Sequence, residues 1–172
     1  MKLLILIWMY LSTPLTMEED KILLNTRSAF QEIKSEEDIE SIYRINVEEA
    51  ELDNRNVIRA YQAAATCMKA EYVFSSVSKL KYFKRGKKKL ETLIANDKSV
   101  EKVYLRLLIQ LNIPRLLNYY QEIEGDIVFL ETHLADALIN STYKQTMIKN
   151  LVSVADKKEI KDILLQIKIE NS

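Results

Sequence analysis

Four polar residues around Pro114 have the spacing and the side chains best suited to bind a ligand in this sequence. Arg106 and Gln110 are four residues apart, so both lie on one side of a helix. Asn112 and Tyr119 follow a short distance along the chain. We expect Arg106, Gln110 and Asn112 to bond the backbone carbonyls that are exposed where Pro114 interrupts the helix. The alternative is a polar cluster that contacts a ligand through hydrogen bonds.

A second group is the basic segment KLKYFKRGKKK, which has seven basic residues at positions 79–89. Helical spacing places Phe83 on the apolar side of this segment. The opposite side carries Lys81, Lys84, Arg85 and Lys88. A basic helix face in a protein without net charge is usually solvated surface. Contact with an anionic partner, including weak contact with a membrane surface, is the alternative. We expect no nucleic-acid binding, because the protein is predicted to be exported.

The acidic residues and the histidine at positions 122–133 do not match a metal site or an acid–base site. Ligands on one helix face need a spacing of three or four residues, whereas Glu131 and His133 are two residues apart. Glu122 and Asp126 share a face, but they form only a pair, and helix capping accounts for them. Two isolated glycines cannot build a phosphate-binding loop. We therefore predict no metal, no cofactor and no enzymatic activity.

The scarcity of helix-breaking residues indicates the fold class. The chain of 172 residues has 2 glycines and 2 prolines, and its hydrophobic residues recur at three- and four-residue spacing almost throughout. This pattern predicts an all-α fold of about eight helices, packed as antiparallel α-hairpins. The arrangement is either a short solenoid similar to tetratricopeptide repeats or a compact bundle. The 25 basic and 25 acidic residues cancel, so no net field attracts nucleic acid or acidic membranes.

Local signals place the individual helices. Thr16 with Glu19 and Ser35 with Asp38 have the spacing of capping boxes, which predicts helix starts there. An alanine-rich helix is predicted at residues 54–74, with Cys67 as a buried thiol. The next helix is predicted at residues 79–96, where a glycine on the apolar side indicates close helix packing. Later helices should begin after the serine of position 99, after the serine of position 141 as a cap, and near residue 156.

The first sixteen residues differ in composition from the rest of the chain. Lys2 precedes the apolar run LLILIWMYL, and a polar stretch with Pro14 follows it. This order resembles a secretory signal peptide, and the run is too short to cross a bilayer as a helix. We predict a signal peptide at residues 1–16 and a single helical domain at residues 17–172. The alternative for residues 1–16 is an apolar helix packed on the domain.

Residues 82–134 resemble a group of small, uncharacterised exported helical proteins of Bacteroidetes, which are loosely related to tetratricopeptide folds. The positions that carry the resemblance are Phe83, Gly86, Leu105, Arg106, Ile109, Gln110, Asn112, Pro114, Tyr119, Ile123, Glu124, Asp126 and Phe129. The alanine-rich helix fits the group as well. Asn118 departs from it, because glycine is more common at that position. The resemblance implies a helical fold and export, and it implies no activity.

These observations predict an exported, non-enzymatic helical domain of the bacterial periplasm or envelope that binds a protein or peptide. The predicted surface combines the basic helix at residues 79–89 with the region of residues 106–119. One alternative is a small-molecule binder or an unfamiliar hydrolase that uses residues 106–119. The other is peripheral association of the basic helix with a membrane surface.

Overall fold

The computed structural model of the protein describes residues 20–170. Over these residues the chain forms eight α-helices, three short 3-10 helices and no strand. The α-helices are α1 (Lys21–Gln31), α2 (Glu36–Tyr43), α3 (Arg55–Tyr72), α4 (Ser76–Asn96), α5 (Val100–Asn112), α6 (Ile123–His133), α7 (Ser141–Val154) and α8 (Lys158–Gln166). The predicted all-α fold is confirmed. The predicted signal peptide and the capping pair of Thr16 and Glu19 lie outside the described residues.

Short-range capping contacts determine where several helices begin. The carboxylate of Asp20 accepts hydrogen bonds from two backbone amides in the first turn of α1. Ser35 and Asp38 form the predicted capping box at the start of α2. Helix α7 is capped by Asn140 and not by Ser141, which is already the first helical residue. The cap was therefore predicted one residue too late.

Helices α3 and α4 form an antiparallel hairpin in the core. Gly86 of α4 approaches α3 so closely that an added Cβ atom would lie 2.5 Å from Cys67 Sγ and 2.6 Å from the carbonyl oxygen of Ala63. The predicted role of Gly86 in close helix packing is thus confirmed. Helix α4 begins at Ser76, before the predicted start at residue 79. The segment SSVS at residues 75–78 predicts a break between the two helices, but its serines belong to the cap and the first turn of α4.

Helix α5 is buried around most of its circumference, because α3, α6 and α7 pack against it. Helical spacing predicts an apolar stripe on α5 that includes Tyr104 and Leu107, and both are buried. Leu105 lies outside that stripe and is fully buried too. The helix ends at Asn112, since the residue before Pro114 disfavours helical geometry. The C-terminal half of α5 therefore has a fixed position between neighbouring helices.

The connector between α5 and α6 turns at a residue with left-handed backbone geometry. Asn118 has φ 48° and ψ 53°, a region that glycine adopts freely and that asparagine tolerates better than most residues. Glycine is the residue that the resemblance described above predicts at this position. Asparagine thus forms the backbone conformation that glycine favours, and the next residue, Tyr119, is buried.

A buried ionic network joins α1, α3, α5 and α7. Arg27 donates to both carboxylate oxygens of Glu101, at 2.9 Å and 2.6 Å. The Tyr61 hydroxyl donates to the same carboxylate at 2.7 Å and lies 2.6 Å from the Tyr143 hydroxyl. Burial raises the pKa of Tyr61 far above its ordinary value. We assign this network to core organisation, because Tyr61 is fully buried and its hydroxyl group is bonded on both sides.

Helical spacing predicts three leucine or isoleucine side chains on the buried sides of their helices that the structure leaves exposed. Leu80 is 40% exposed, Leu138 91% and Ile163 43%. Leu138 is the clearest error, because α6 ends at His133 and the helical spacing used for the prediction no longer applies beyond it. The other two lie on helices, at the margins of the buried faces of α4 and α8.

Cys67 is predicted to resist alkylation in the folded protein. Its thiol is buried, and burial raises its pKa to about 12. Because the thiolate is the reactive form, iodoacetamide at about pH 8 should label native Cys67 at least 100-fold more slowly than Cys67 in concentrated urea. Mass spectrometry of timed samples measures both rates. Comparable rates would contradict a buried thiol.

Candidate functional site

A groove of about 1050 Å³ lies between the end of α5, the connector, α6 and α8. Most of its lining is apolar or aromatic. These lining residues are Leu111, Ile113, Pro114, Tyr119, Tyr120, Ile123, Ile127, Val128, Ile160 and Ile163. Several of them are partly exposed, among them Tyr120 at 48% and Val128 at 59%. The groove therefore offers an apolar surface that is open to solvent.

Gln110 lines this groove from the last turns of α5. The residue is only 4% exposed, and neither Oε1 nor Nε2 of its carboxamide has a hydrogen-bond partner among the described residues. An unsatisfied buried polar group costs about 1–3 kcal/mol. A ligand that displaces the side chains covering these two atoms and offers a matching donor and acceptor would recover this free energy, which makes Gln110 the strongest chemical signal in the groove.

The charged residues of the groove are mostly acidic. Four carboxylates line it, namely those of Glu124, Glu131, Asp156 and Glu159, together with two cations, Arg115 and Lys157. None of these four carboxylates forms an ion pair with any residue in the range 20–170. The groove therefore has an excess of negative charge that is free to attract a cationic ligand.

Arg106 lies behind the groove in a buried ionic cluster. Its guanidinium donates to both oxygens of Asp126, at 2.8 Å and 2.6 Å, and to Glu91 at 2.9 Å. This bidentate pair joins α5 to the first turn of α6, while Glu91 joins both to α4. The expectation that Arg106 and Gln110 bond carbonyls at the proline break is wrong, since Arg106 bonds carboxylates and Gln110 bonds no described residue.

Tyr119 connects the ionic cluster to the wall of the groove. Its hydroxyl donates to Glu91, and its ring packs against Phe83 edge to face with centroids 5.9 Å apart. The ammonium of Lys87 lies 4.3 Å from the centre of the Tyr119 ring. Burial and the bond to Glu91 raise the pKa of Tyr119 well above its ordinary value. Tyr119 is thus a neutral, rigidly held wall and not an acid–base group at neutral pH.

The predicted site residues separate into four places. Gln110 and Tyr119 line the groove, Arg106 supports it from behind, and Asn112 is exposed at the end of α5 outside the groove lining. The predicted basic residues are exposed on α4 and do not line the groove; they are Lys81, Lys84, Arg85 and Lys88. The basic side of α4 and the groove are therefore separate surfaces, and not the single surface that the sequence predicts.

The contribution of α8 was not predicted from the sequence. The sequence predicts Asp156 and Glu159 at the start of the last helix, and the structure shows that both also line the groove. The sequence carries no signal for this contribution, because helical spacing places Ile163 on the buried side of α8 and only the structure shows that it is 43% exposed.

No cluster of potential metal ligands occurs among residues 20–170, and no helix in that range is long and apolar enough to cross a membrane. No protein-family model matches the chain, and neither a curated protein nor a solved structure matches it. The resemblance to the exported proteins of Bacteroidetes, the tetratricopeptide-like arrangement and export itself therefore stay predictions.

Proposed function

We propose that the protein is a non-enzymatic helical binding module that holds an extended segment of a partner protein in the groove. The observation that carries this proposal is the buried carboxamide of Gln110, which lines an apolar groove and has no described partner. The proposal keeps the predicted interaction function and centres it on the groove. Export to the periplasm or envelope remains part of it, on the evidence of residues 1–16.

The chemistry of Gln110 fits a peptide backbone. A carboxamide has one acceptor oxygen and a donor nitrogen, and a peptide bond in an extended chain presents the complementary N–H and C=O groups. One pair of hydrogen bonds would satisfy both orphan atoms of Gln110 at once. Recognition through backbone groups also tolerates variation in the bound sequence, which suits an interaction module.

The composition of the groove indicates which side chains the bound segment carries. Apolar residues would cover the floor formed by residues such as Ile127 and Ile160. Lysine or arginine in the segment would face Glu124, Glu131 or Glu159, whose carboxylates lack described cationic partners. We therefore propose a segment with both apolar and basic side chains.

The lining is less suited to catalysis. Among the described lining residues none is serine, threonine, cysteine or histidine, so the groove lacks the groups of a nucleophilic triad. A small molecule is the other candidate occupant, because the volume of about 1050 Å³ is at the upper end of the range for small-molecule pockets. Native mass spectrometry of the purified protein would detect such a molecule.

Replacing Gln110 with methionine should stabilise the free protein and weaken peptide binding. Methionine has a similar length and no orphan polar atoms, so we expect the free energy of unfolding to rise by about 1 kcal/mol. The peptide loses its hydrogen-bond partners, so its dissociation constant should rise about tenfold. Peptides selected from a random phage-displayed library on the wild-type protein serve as probes, with affinity measured by fluorescence polarisation.

The matched control is Asn112→Ala, which changes a carboxamide at the end of the same helix but outside the groove. It should leave peptide affinity unchanged. The double variant Glu131→Lys and Glu159→Lys should reduce the preference for basic peptides. Equal affinity of the selected peptides for wild type and Gln110→Met, or no peptide enrichment on the wild type, would contradict the proposal. Lower stability of Gln110→Met with unchanged affinity would make Gln110 a structural residue.

A further inference from the structure

The exposed side of α4 carries a set of cations without counter-charges. These residues are Lys79, Lys81, Lys84, Arg85, Lys88 and Lys89, and all six are exposed. None of them forms an ion pair with a described residue. Spacings of three and four residues align Lys81, Lys84 and Lys88, opposite the buried side of the helix. The whole chain has zero formal net charge, so this basic face is a local feature.

An exposed apolar tip adjoins the basic face. Phe74, in the turn before α4, is 105% exposed, which means that no neighbouring residue covers its ring. Val77 is 78% exposed and Leu80 is 40% exposed in the first turns of the same helix. Val77 precedes Lys81 by four residues, so it continues the line of cations toward the tip. Helical spacing predicts Phe74 as the last residue of α3 and leaves Val77 between the two helices, so it does not predict the exposed tip.

We propose that this end of the α3–α4 hairpin binds an anionic lipid surface. The cations would lie against negatively charged headgroups, while Phe74 and Val77 would enter the boundary between headgroups and acyl chains. This contact is separate from the peptide groove, since neither Phe74 nor the cations line that groove. This lipid contact would hold the protein at a membrane, although no helix among the described residues is long and apolar enough to span one.

The combination of both features favours a lipid surface over an acidic protein. Lysines alone would suit either partner, because each attracts negative charge. A fully uncovered phenylalanine at a hairpin turn projects from the surface, and a protein partner would need a preformed pocket for it. A bilayer accommodates such a projecting ring without a specific pocket, and aromatic side chains are favoured at the membrane interface.

Sedimentation with lipid vesicles tests the basic face. Full-length protein should bind phosphatidylcholine vesicles that contain about one third phosphatidylglycerol, should bind pure phosphatidylcholine far less, and should be released at high salt. The triple variant Lys81→Glu, Lys84→Glu and Lys88→Glu should lower vesicle affinity by more than about 100-fold, because each basic residue near an anionic surface contributes about fivefold. The matched control has the same charge change at other exposed positions: Lys149→Glu, Lys158→Glu and Lys168→Glu.

Fluorescence from position 74 tests the apolar tip. The chain contains a single tryptophan, Trp8, so the double variant Trp8→Phe and Phe74→Trp places the reporter in the hairpin turn alone. Its emission should shift to the blue on addition of anionic vesicles. This readout also separates contact at the tip from contact made by the apolar run near Trp8. Replacing Leu116, which is 94% exposed elsewhere, with tryptophan in the same Trp8→Phe background provides the control.

Each outcome decides the proposal. It stands if position 74 shifts to the blue, position 116 does not, and only the α4 triple variant loses binding. It is overturned if position 74 shows no shift, or if both triple variants lose binding equally. Binding of soluble polyglutamate to the α4 face, without any shift at position 74 on vesicles, would also overturn it and would indicate an acidic protein partner. All of these readouts are independent of the groove and of Gln110.

Discussion

Replacing Arg106 with methionine is expected to lower the free energy of unfolding by about 3–5 kcal/mol. The change leaves the carboxylate of Asp126, whose side chain is 1% exposed, without its bidentate partner. It also removes a hydrogen-bond donor to Glu91, to which Tyr119 donates its own hydroxyl. Urea denaturation followed by circular dichroism measures the effect. A loss of this size is a large part of the stability of a typical domain.

The pH dependence of stability and one further variant separate the charge effect from lost packing. Burial is the main influence on Asp126 and raises its pKa above the ordinary value even beside Arg106. With Arg106 removed that pKa should rise further, and stability should then increase as the pH falls through it, because the folded state binds the proton more tightly than the unfolded state. The double variant Arg106→Met and Asp126→Leu should recover most of the loss at neutral pH. In this variant the buried carboxylate of Asp126 is removed together with its cationic partner, so it is not left unpaired.

The control for Arg106 is an arginine that forms an exposed ion pair. Arg59 lies 2.8 Å from Glu48, and the two side chains are 43% and 62% exposed. Arg59→Met should cost less than about 1 kcal/mol, because solvent and salt screen such pairs. Similar losses for Arg59→Met and Arg106→Met would contradict the assignment of Arg106 to a buried cluster that supports the groove.

Replacing Gly86 with alanine is expected to destabilise the protein by about 2 kcal/mol or more, although alanine is the better helix former. The new methyl group would lie within 2.7 Å of the Cys67 backbone nitrogen as well as close to Cys67 Sγ and the Ala63 carbonyl. Two of these three atoms belong to the backbone, so relief requires α3 and α4 to move apart. Thermal or urea denaturation measures the change.

The other glycine of the chain provides the matched control. Gly125 also lies in a helix, α6, and a Cβ atom built there meets nothing within 4 Å. Gly125→Ala should therefore stabilise the protein by about 1 kcal/mol, from helix propensity alone. Opposite signs for the two substitutions are the expected result. A stabilising Gly86→Ala would show that α3 and α4 are not in close contact there.

Much of the fold followed from short stretches of sequence. Two features depend on residues within a turn of one another: the capping box of Ser35 and Asp38, and the end of α5 before Pro114. The close approach of α3 and α4 depends on a single residue that permits contact, Gly86. Such signals are local, so pattern and spacing are sufficient to detect them. The clearest error occurred beyond a helix end, at Leu138, where the helical period no longer applies.

The candidate site depended on contacts between distant segments. The sequence indicated that Gln110 was a polar residue beside an apolar stripe. It did not indicate that Gln110 would be buried without a described partner, or that Arg106 would bond two carboxylates. The partners of Arg106 are Glu91 and Asp126, on the preceding and following helices, and spacing along the chain does not choose between the many available carboxylates.

The all-α class and most helix positions were determined by the sequence itself, because backbone preferences and apolar periodicity act over a few residues. The groove was decided by tertiary structure alone, because residues 110–131 meet residues 156–166 only after α7 has packed on α5 and α8 on α7. The same packing decides which charges are paired in the interior and which remain free, as at Glu131 and Glu159. The burial of a side chain and its pairing with another side chain are properties of the assembled helices. For this reason residue spacing identified Gln110 as a candidate site residue but could not assign its role.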